Sequence, residues 1–216
     1  MKSRASIVVA GMAILYLSAC NDQNKQTQSQ PTQTPIPQPQ EDQLSVSITL
    51  DSLPDSITYN RSTTPDGYIE YQWGVVFDIN GDGAINQGDI ELQILHFKSP
   101  GSIERIGKIS DLGAALWVYT TDTQRTSTVA AKSDVSGNTI TLSISKTAYP
   151  SLKSITGSTL VYFETTTYDT IPPQAKYDYH PSFSTLLSIP SGGNFTDPQG
   201  DIQAPYIDML NMKISL

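Results

Sequence analysis

From residue 43 onward, the chain consists of short runs in which apolar and polar residues alternate, and this pattern limits it to a fold made of strands. The first run is LSVSITL at 44–50, and similar runs occupy 69–77, 115–120, 127–131, 139–145 and 159–167. Alternation of this kind gives each strand one buried and one solvated face, which is typical of antiparallel sheets. Residues 135–138 (VSGN) predict a hairpin turn. We therefore predict an all-β protein, an antiparallel β-sandwich of jelly-roll or immunoglobulin-like type.

Residues 1–19 have the organisation of a secretory signal peptide. Lys2 and Arg4 precede an apolar run at 7–17, which is shorter than the roughly 20 residues of a membrane-spanning helix. The run leads into Leu17-Ser18-Ala19-Cys20, which contains the only cysteine of the chain. These four residues resemble the lipobox of bacterial lipoproteins, and the resemblance implies that Cys20 becomes an acylated N-terminus, a palmitate-type membrane anchor. The alternative is an ordinary cleaved signal that leaves Cys20 as a free thiol.

The residues after the cysteine predict a tether and a location. Asn21 stands where an aspartate would resemble an inner-membrane retention signal, so we expect the outer membrane, with the periplasmic or cell-surface face open. Residues 20–42 are rich in Gln, Pro and Thr and contain one large apolar residue, Ile36, so they predict a disordered linker. Residues 43–190 are then the sandwich domain. Residues 191–216 are either its final strand or a truncated second repeat.

Charge and cysteine content exclude several classes of partner. The chain has 21 acidic against 13 basic residues and a formal charge of −8, which argues against binding to nucleic acid and favours cations. One cysteine cannot form an internal disulfide, so the core, hydrogen bonds or metal must stabilise the fold.

The segment DINGDGAINQGDI at 78–90 has the spacing of a calcium loop. Oxygen-bearing side chains stand at loop positions 1, 3, 5, 9 and 12, with Gly83 at position 6 where the chain must turn sharply. The expected Ca²⁺ ligands are the side chains of Asp78, Asn80, Asp82, Asn86 and Asp89 and the backbone carbonyl of Ala84. We expect Ile85 to point inward and pack. The alternative is a metal-free turn, because Asp, Asn and Gly are also common turn residues.

This loop resembles those of dockerins and EF-hands, and dockerins in particular often end with Asp. The context differs, because the alternating residues before Asp78 and after Asp89 predict strand, loop, strand, with a helix over 89–98 as the alternative. A dockerin uses two loops, and no second copy occurs here. We therefore expect the ion to be structural, with the weak affinity of isolated extracellular sites.

A wider likeness covers residues 43–190. The strand before the loop, Leu116-Trp117-Val118, the segment GNTITL at 137–142, Tyr149-Pro150 and the run at 160–168 are similar to family 9 carbohydrate-binding and DOMON-like domains. The likeness implies a sandwich that binds sugars or haem, or that has no known ligand. Tyr168, Tyr177 and Tyr179 are the candidate ligand-binding residues, and Asp197, Asp201 and Asp208 could form another ion site.

No catalytic pattern accompanies these features. His96 and His180 lie in no nucleophile or metal motif, and no two carboxylates have a spacing that indicates glycosidase chemistry. We expect a non-enzymatic, lipid-anchored envelope protein with a calcium-stabilised sandwich, which binds or displays a glycan or envelope protein. The alternatives are a carbohydrate-binding module and a hydrolase accessory or degenerate enzyme. The oligomeric state stays open.

Overall fold

The computed structural model of the protein describes residues 42–170, 173–182, 185–202 and 204–216. Residues 40–216 form one unit. The predicted signal peptide, Cys20 and the linker up to residue 41 lie outside the described residues. Within the described ranges, no helix has the length and apolarity needed to cross a membrane.

The described residues form thirteen strands and two short 3₁₀ helices at Ile109–Leu112 and Pro150–Ser154. The strands are β1 (Gln43–Leu50), β2 (Ile57–Tyr59), β3 (Ile69–Asp78), β4 (Ile90–Phe97), β5 (Arg105–Gly107), β6 (Ala114–Tyr119), β7 (Arg125–Ser136), β8 (Thr139–Ser145), β9 (Leu160–Thr170), β10 (Pro173–His180), β11 (Leu187–Ser188), β12 (Asn194–Thr196) and β13 (Met209–Ser215).

Eleven strands form one antiparallel sheet in the order β10-β9-β3-β4-β6-β7-β8-β1-β13-β12, with β11 beside β9, and β2 pairs with β5 separately. The long strand β7 changes partner along its length. Its first half, to Ala131, pairs with β6, and its second half, from Lys132, pairs with β8. A register shift opposite Leu116 and Trp117 interrupts the first pairing, and bulges of this kind bend a strand. The sheet therefore curls at β7 into two layers.

The two layers share one hydrophobic core. Inward residues of β1, β8 and β13 belong to the same buried cluster as inward residues of β3, β4, β6 and β9. The rings of Phe163 in β9 and Phe195 in β12 lie 5.0 Å apart, and the indole N–H of Trp73 donates to the carbonyl of Tyr206 at 3.0 Å. These contacts join opposite ends of the sheet. They confirm the predicted all-β, antiparallel sandwich.

The alternating runs account for most of the long strands. All six form strands, and a two-residue turn at Gly137 and Asn138 joins β7 to β8, with Gly137 at φ 55°. Ile90–Phe97 is a strand, so the predicted strand-loop-strand arrangement is confirmed and the helix alternative is wrong. Residues 209–215 lie between β1 and β12 within the sheet. Sequence patterns missed β10, which carries the tyrosine-rich stretch.

Candidate functional site

Loop 78–90 connects the two central strands β3 and β4. Phe77 pairs with Ile90 at its base, so the next residues outward, Asp78 and Asp89, face each other where the strands end. Both are buried, with 1% and 0% of their surfaces exposed. Burial of two acidic residues at one end of a hairpin is costly unless hydrogen bonds or a cation compensate.

Backbone N–H groups of the loop supply part of that compensation. The Asp78 carboxylate accepts hydrogen bonds from Gly81 N–H at 2.6 Å and Gly83 N–H at 2.9 Å. The Asp89 carboxylate accepts from Ile79 N–H and Asn86 N–H, both at 2.8 Å. The two buried carboxylates therefore organise the wrapped loop, and oxygen lone pairs beyond those used by the N–H groups can face a cation.

The exposed part of the loop is held by its own side chains. Asp82 accepts from Ala84 N–H at 2.9 Å and from the Asn86 amide at 2.6 Å, and the Asn80 amide donates to Asn86 Oδ1 at 2.9 Å. Hydrogen bonds, first from Ala84 N–H and then from Asn86, lower the pKa of Asp82. All the expected ligand residues thus lie in one connected loop.

Charge is not balanced at the base of this loop. Burial raises the pKa of Asp89, and the charge of Asp78 raises it further against the hydrogen bonds that Asp89 accepts. The carboxylate oxygens of Asp78, Asp82 and Asp89 do not all lie close to one another. In the described part of the chain, the one group of three acidic residues whose ligand atoms lie within 4.8 Å of one another is elsewhere in the fold. The donor set, all oxygen and partly buried, fits Ca²⁺ chemistry.

Ile85 of the same loop packs, but against outward side chains of the sheet and not inward as expected. It contacts a small apolar cluster of Val76, Tyr119 and Tyr162 on the outer face of the layer. The loop therefore lies over the outward side chains of β3, β6 and β9.

Beneath the loop, this outer face carries a buried polar network of Gln72, Glu91, Tyr119, Arg125 and Glu164, which we call the outer-face network. Arg125 Nε lies 3.1 Å from Glu91 Oε2, and Gln72 donates to both Glu91 and Glu164. Arg125 also donates to the hydroxyl of Tyr119 at 3.1 Å. Burial, then the charge of Glu164, raises the pKa of Glu91 well above its usual range, although Arg125 opposes this. The two carboxyl groups of Glu91 and Glu164 therefore share the single guanidinium of Arg125 in a buried setting.

A cavity of about 460 Å³ opens between loop 78–90 and this network. It is lined by Ile85, Tyr119, Arg125, Tyr162 and Glu164, among others. Aromatic rings beside one guanidinium and the carboxylates of Asp122 and Glu164 provide both an apolar surface and directional hydrogen bonds, as small-ligand sites require.

Sequence patterns missed the outer-face network for a physical reason. Glu91 and Glu164 occupy the polar positions of alternating strands, where an acidic residue ordinarily faces water. One signal was present: Gly74 faces this side, and a Cβ there would lie 2.6 Å from Gln93 Cβ and 3.3 Å from Glu91 Oε1. A glycine in the middle of a central strand indicates that other groups approach closely.

The three candidate tyrosines share the outer face but differ in exposure. Tyr177 and Tyr179 stack in parallel, with ring centroids 5.8 Å apart, and Tyr177 is 46% exposed. Tyr168 is only 6% exposed and packs edge-on against Tyr68. Tyr177 and Tyr179 therefore form an accessible aromatic surface, which Tyr162 extends toward the cavity at 6.4 Å from Tyr179.

Both histidines have local partners. His96 Nε2 lies 3.1 Å from Asn60 Oδ1 and 3.3 Å from Glu70 Oε2, and His180 Nδ1 lies 2.5 Å from Asp197 Oδ1. Asp197 is thus engaged by His180, whereas Asp201 and Asp208 join Asp178 of β10 in a separate group. Asp178 was not among the expected residues, because a lone acidic residue in a strand carries no sequence signal.

Comparison with protein-family models, curated proteins and solved structures gives no match to this chain.

Proposed function

We propose that this protein is an exported, lipid-anchored envelope protein whose β-sandwich is a non-catalytic binding or structural module stabilised by Ca²⁺ in loop 78–90. The lipobox residues Leu17–Cys20 support the anchor, and the loop spacing supports the ion. Asn21 follows the cysteine where an aspartate would resemble an inner-membrane retention signal, and it supports the outer membrane as the place of the anchor.

The observation that carries the calcium proposal is the burial of Asp78 and Asp89 at the base of a loop with three further oxygen-bearing side chains. Their placement between the central strands means that an ion there stabilises the β3–β4 hairpin. Millimolar extracellular Ca²⁺ suffices for a site of modest affinity to stabilise the folded state.

Calcium-dependent melting of the full chain tests this part. Ca²⁺ at 1–5 mM should raise the Tm of the chelator-treated protein, and Asp82→Ala should remove part of that increase. Asp82 is exposed and accepts only hydrogen bonds local to the loop, so its replacement leaves the core intact. Asp134→Ala, at an exposed residue of β7, is the matched control. An increase that is the same in wild type and Asp82→Ala would contradict the assignment.

The anchor is tested separately by Cys20→Ala in cells that process lipoproteins. The wild type should incorporate labelled palmitate and partition into membranes, and the variant should do neither. Equal membrane partitioning of both chains would refute the lipobox assignment.

A carbohydrate-binding module is the second candidate, because the stacked Tyr177–Tyr179 surface lies beside the 460 Å³ cavity. Aromatic faces stack on sugar rings, and Arg125 and Glu164 can hydrogen-bond hydroxyl groups. Glycan-array binding should fall with Tyr177→Ala and persist in Phe97→Ala, which removes an exposed ring from β4. Binding that both variants retain, or no binding at all, would remove this candidate.

A further inference from the structure

The second group of acidic residues lies where the two layers of the sandwich meet. Asp178 belongs to β10, at one end of the sheet, whereas Asp201 and Asp208 lie in the segment that leads from β12 to β13. One carboxylate oxygen from each lies within 4.8 Å of the other two. We call these three residues the acidic cluster.

The protein holds the acidic cluster in place through its backbone. Met209 N–H donates to Asp178 Oδ2 at 2.7 Å, and Gly200 N–H donates to Asp208 Oδ2 at 2.8 Å. The carbonyl of Asp208 in turn accepts from Asp51 N–H at 2.9 Å. Main-chain hydrogen bonds therefore fix the carboxylates of Asp178 and Asp208.

Buried oxygens in this region lack a donor. Asp178 is 3% exposed and Asp208 is 1% exposed, and Asp208 Oδ1 is buried without a hydrogen-bond partner. The second oxygen of neighbouring Asp197, whose side chain is 5% exposed, is also buried and unpartnered. Buried oxygens without donors are rare in native proteins and call for a missing proton, water or ion.

Positive charge is lacking as well. Among the described residues, no lysine or arginine forms an ion pair with a member of the acidic cluster. Burial raises the pKa of Asp178 to about 7, and the charges of Asp197, Asp201 and Asp208 contribute. Burial also raises the pKa of Asp208, and the charge of Asp201 adds to it. A cation would relieve this repulsion without moving the backbone.

We propose that Asp178, Asp201 and Asp208 bind one Ca²⁺ ion, which links β10 to the segment before β13. Because the three oxygens are no more than 4.8 Å apart, a point between them lies within about 2.8 Å of all three, close to the Ca–O distances of about 2.3–2.6 Å. Asp201 is exposed, which leaves a side open for the waters that complete a six- to eight-oxygen shell. This site is independent of loop 78–90, and the ion there cross-links the two layers.

The test uses the full chain, purified in detergent and stripped with EDTA, in the Asp82→Ala background so that the loop site is weakened. CaCl₂ is titrated by calorimetry and its effect on Tm is followed in parallel. Three proteins are compared: Asp82→Ala, Asp82→Ala with Asp201→Asn, and Asp82→Ala with Asp134→Asn as the matched control. Asp201 is exposed, so its replacement by Asn removes charge and leaves the buried hydrogen bonds intact, which circular dichroism checks.

We expect Asp82→Ala and the Asp134 control to bind Ca²⁺ and to gain Tm, and Asp201→Asn to weaken binding on the order of tenfold or more, since affinity follows the number of charged ligands. Equal Ca²⁺ responses in the two double variants would overturn the proposal. So would the absence of any response in Asp82→Ala. If Asp82→Ala does not respond to Ca²⁺ but the wild type does, only the acidic-cluster proposal fails. If wild type and Asp82→Ala respond identically, only the proposal for loop 78–90 fails.

Discussion

Gly74 is the residue whose replacement tests the architecture of the outer-face network most directly. It lies in the middle of β3, directly opposite Gln93 of β4, and the Glu91 and Gln93 side chains approach its Cα face. A Cβ at Gly74 would lie 2.6 Å from Gln93 Cβ and 3.2 Å from the Leu92 carbonyl. Opposed Cβ atoms in antiparallel pairs are normally about 4.5–5.5 Å apart.

The clash cannot be relieved by rotating a side chain. Its nearest atom, Gln93 Cβ, is fixed by the backbone of β4, and β3 is held on its other side by β9. Gly74→Ala must therefore displace a central strand, and overpacking of this kind costs about 1–3 kcal/mol. The same substitution reduces the entropy of the unfolded chain, which stabilises by about 0.4–1 kcal/mol wherever Ala fits.

Gly157→Ala separates the two effects. A Cβ at Gly157 meets no atom within 4 Å, and its φ lies outside the left-handed region, so this variant gains the entropy term alone. The difference between the variants therefore measures the steric cost, about 1–3 kcal/mol, or a Tm difference of about 2–12 °C for a domain of this size.

Urea unfolding followed by tryptophan fluorescence gives the free energy of unfolding, since Trp73 is fully buried and reports loss of the core. Gly157→Ala should be at least as stable as wild type and Gly74→Ala clearly less stable. If the two variants unfold at the same urea concentration, the close approach of β4 side chains over Gly74 is wrong.

Three further outcomes are expected. Burial alone would raise the pKa of Glu70, but hydrogen bonds from His96 and from the Arg61 and Asn60 N–H groups together lower it from 4.5 to about 2. The contribution of Glu70 to stability is therefore complete above pH 4.5 and is lost as the pH falls toward 2. The Tm of Glu70→Gln should therefore depend less on pH than the Tm of wild type between pH 4.5 and 2. An equal pH dependence of the two proteins would contradict this. Deletion of 209–216 removes β13 from between β1 and β12, so circular dichroism should show a chain that no longer melts cooperatively, and a cooperative transition would mean that this strand is dispensable. Ile48→Ala, at a fully buried residue of β1, should cost about 2–5 kcal/mol in urea unfolding, whereas Ser47→Ala on the opposite face should cost far less.

The alternating runs predicted the strands because burial on one face leaves a period of two in the sequence. The same rule explains what could not be predicted. The alternation at 69–77 predicts a strand with one solvated face, but every residue of β3 from Glu70 to Asp78 is buried, because loop 78–90 and outward side chains cover its second face. Nothing local in a strand shows whether its polar face will be covered.

The two candidate metal sites differ in how far apart their ligands lie in the sequence. In loop 78–90 all of the candidate metal-ligand oxygens lie within thirteen residues, so the spacing of the ligands is visible in the sequence. In the acidic cluster, Asp178 is 23 residues before Asp201 and 30 before Asp208, and only the pairing of the strands brings them together. Asp197, which could have joined Asp201 and Asp208, is engaged by His180, and Asp178 is the third member of the group.

The buried acidic residues of this fold fall into two groups, and the difference between them supports the assignment of cation sites. Glu70 and the outer-face network lie beside guanidinium groups, with Arg61 Nε 3.4 Å from Glu70 and Arg125 Nε 3.1 Å from Glu91. Loop 78–90 and the acidic cluster have no such partner among the described residues, and their oxygens face one another or backbone N–H groups. A buried carboxylate needs a proton or a positive charge. Where the protein supplies no arginine and fixes carboxylate oxygens by main-chain hydrogen bonds, a proton or a solvent cation has to compensate the buried charge, and this requirement is the reason we propose Ca²⁺ at both places.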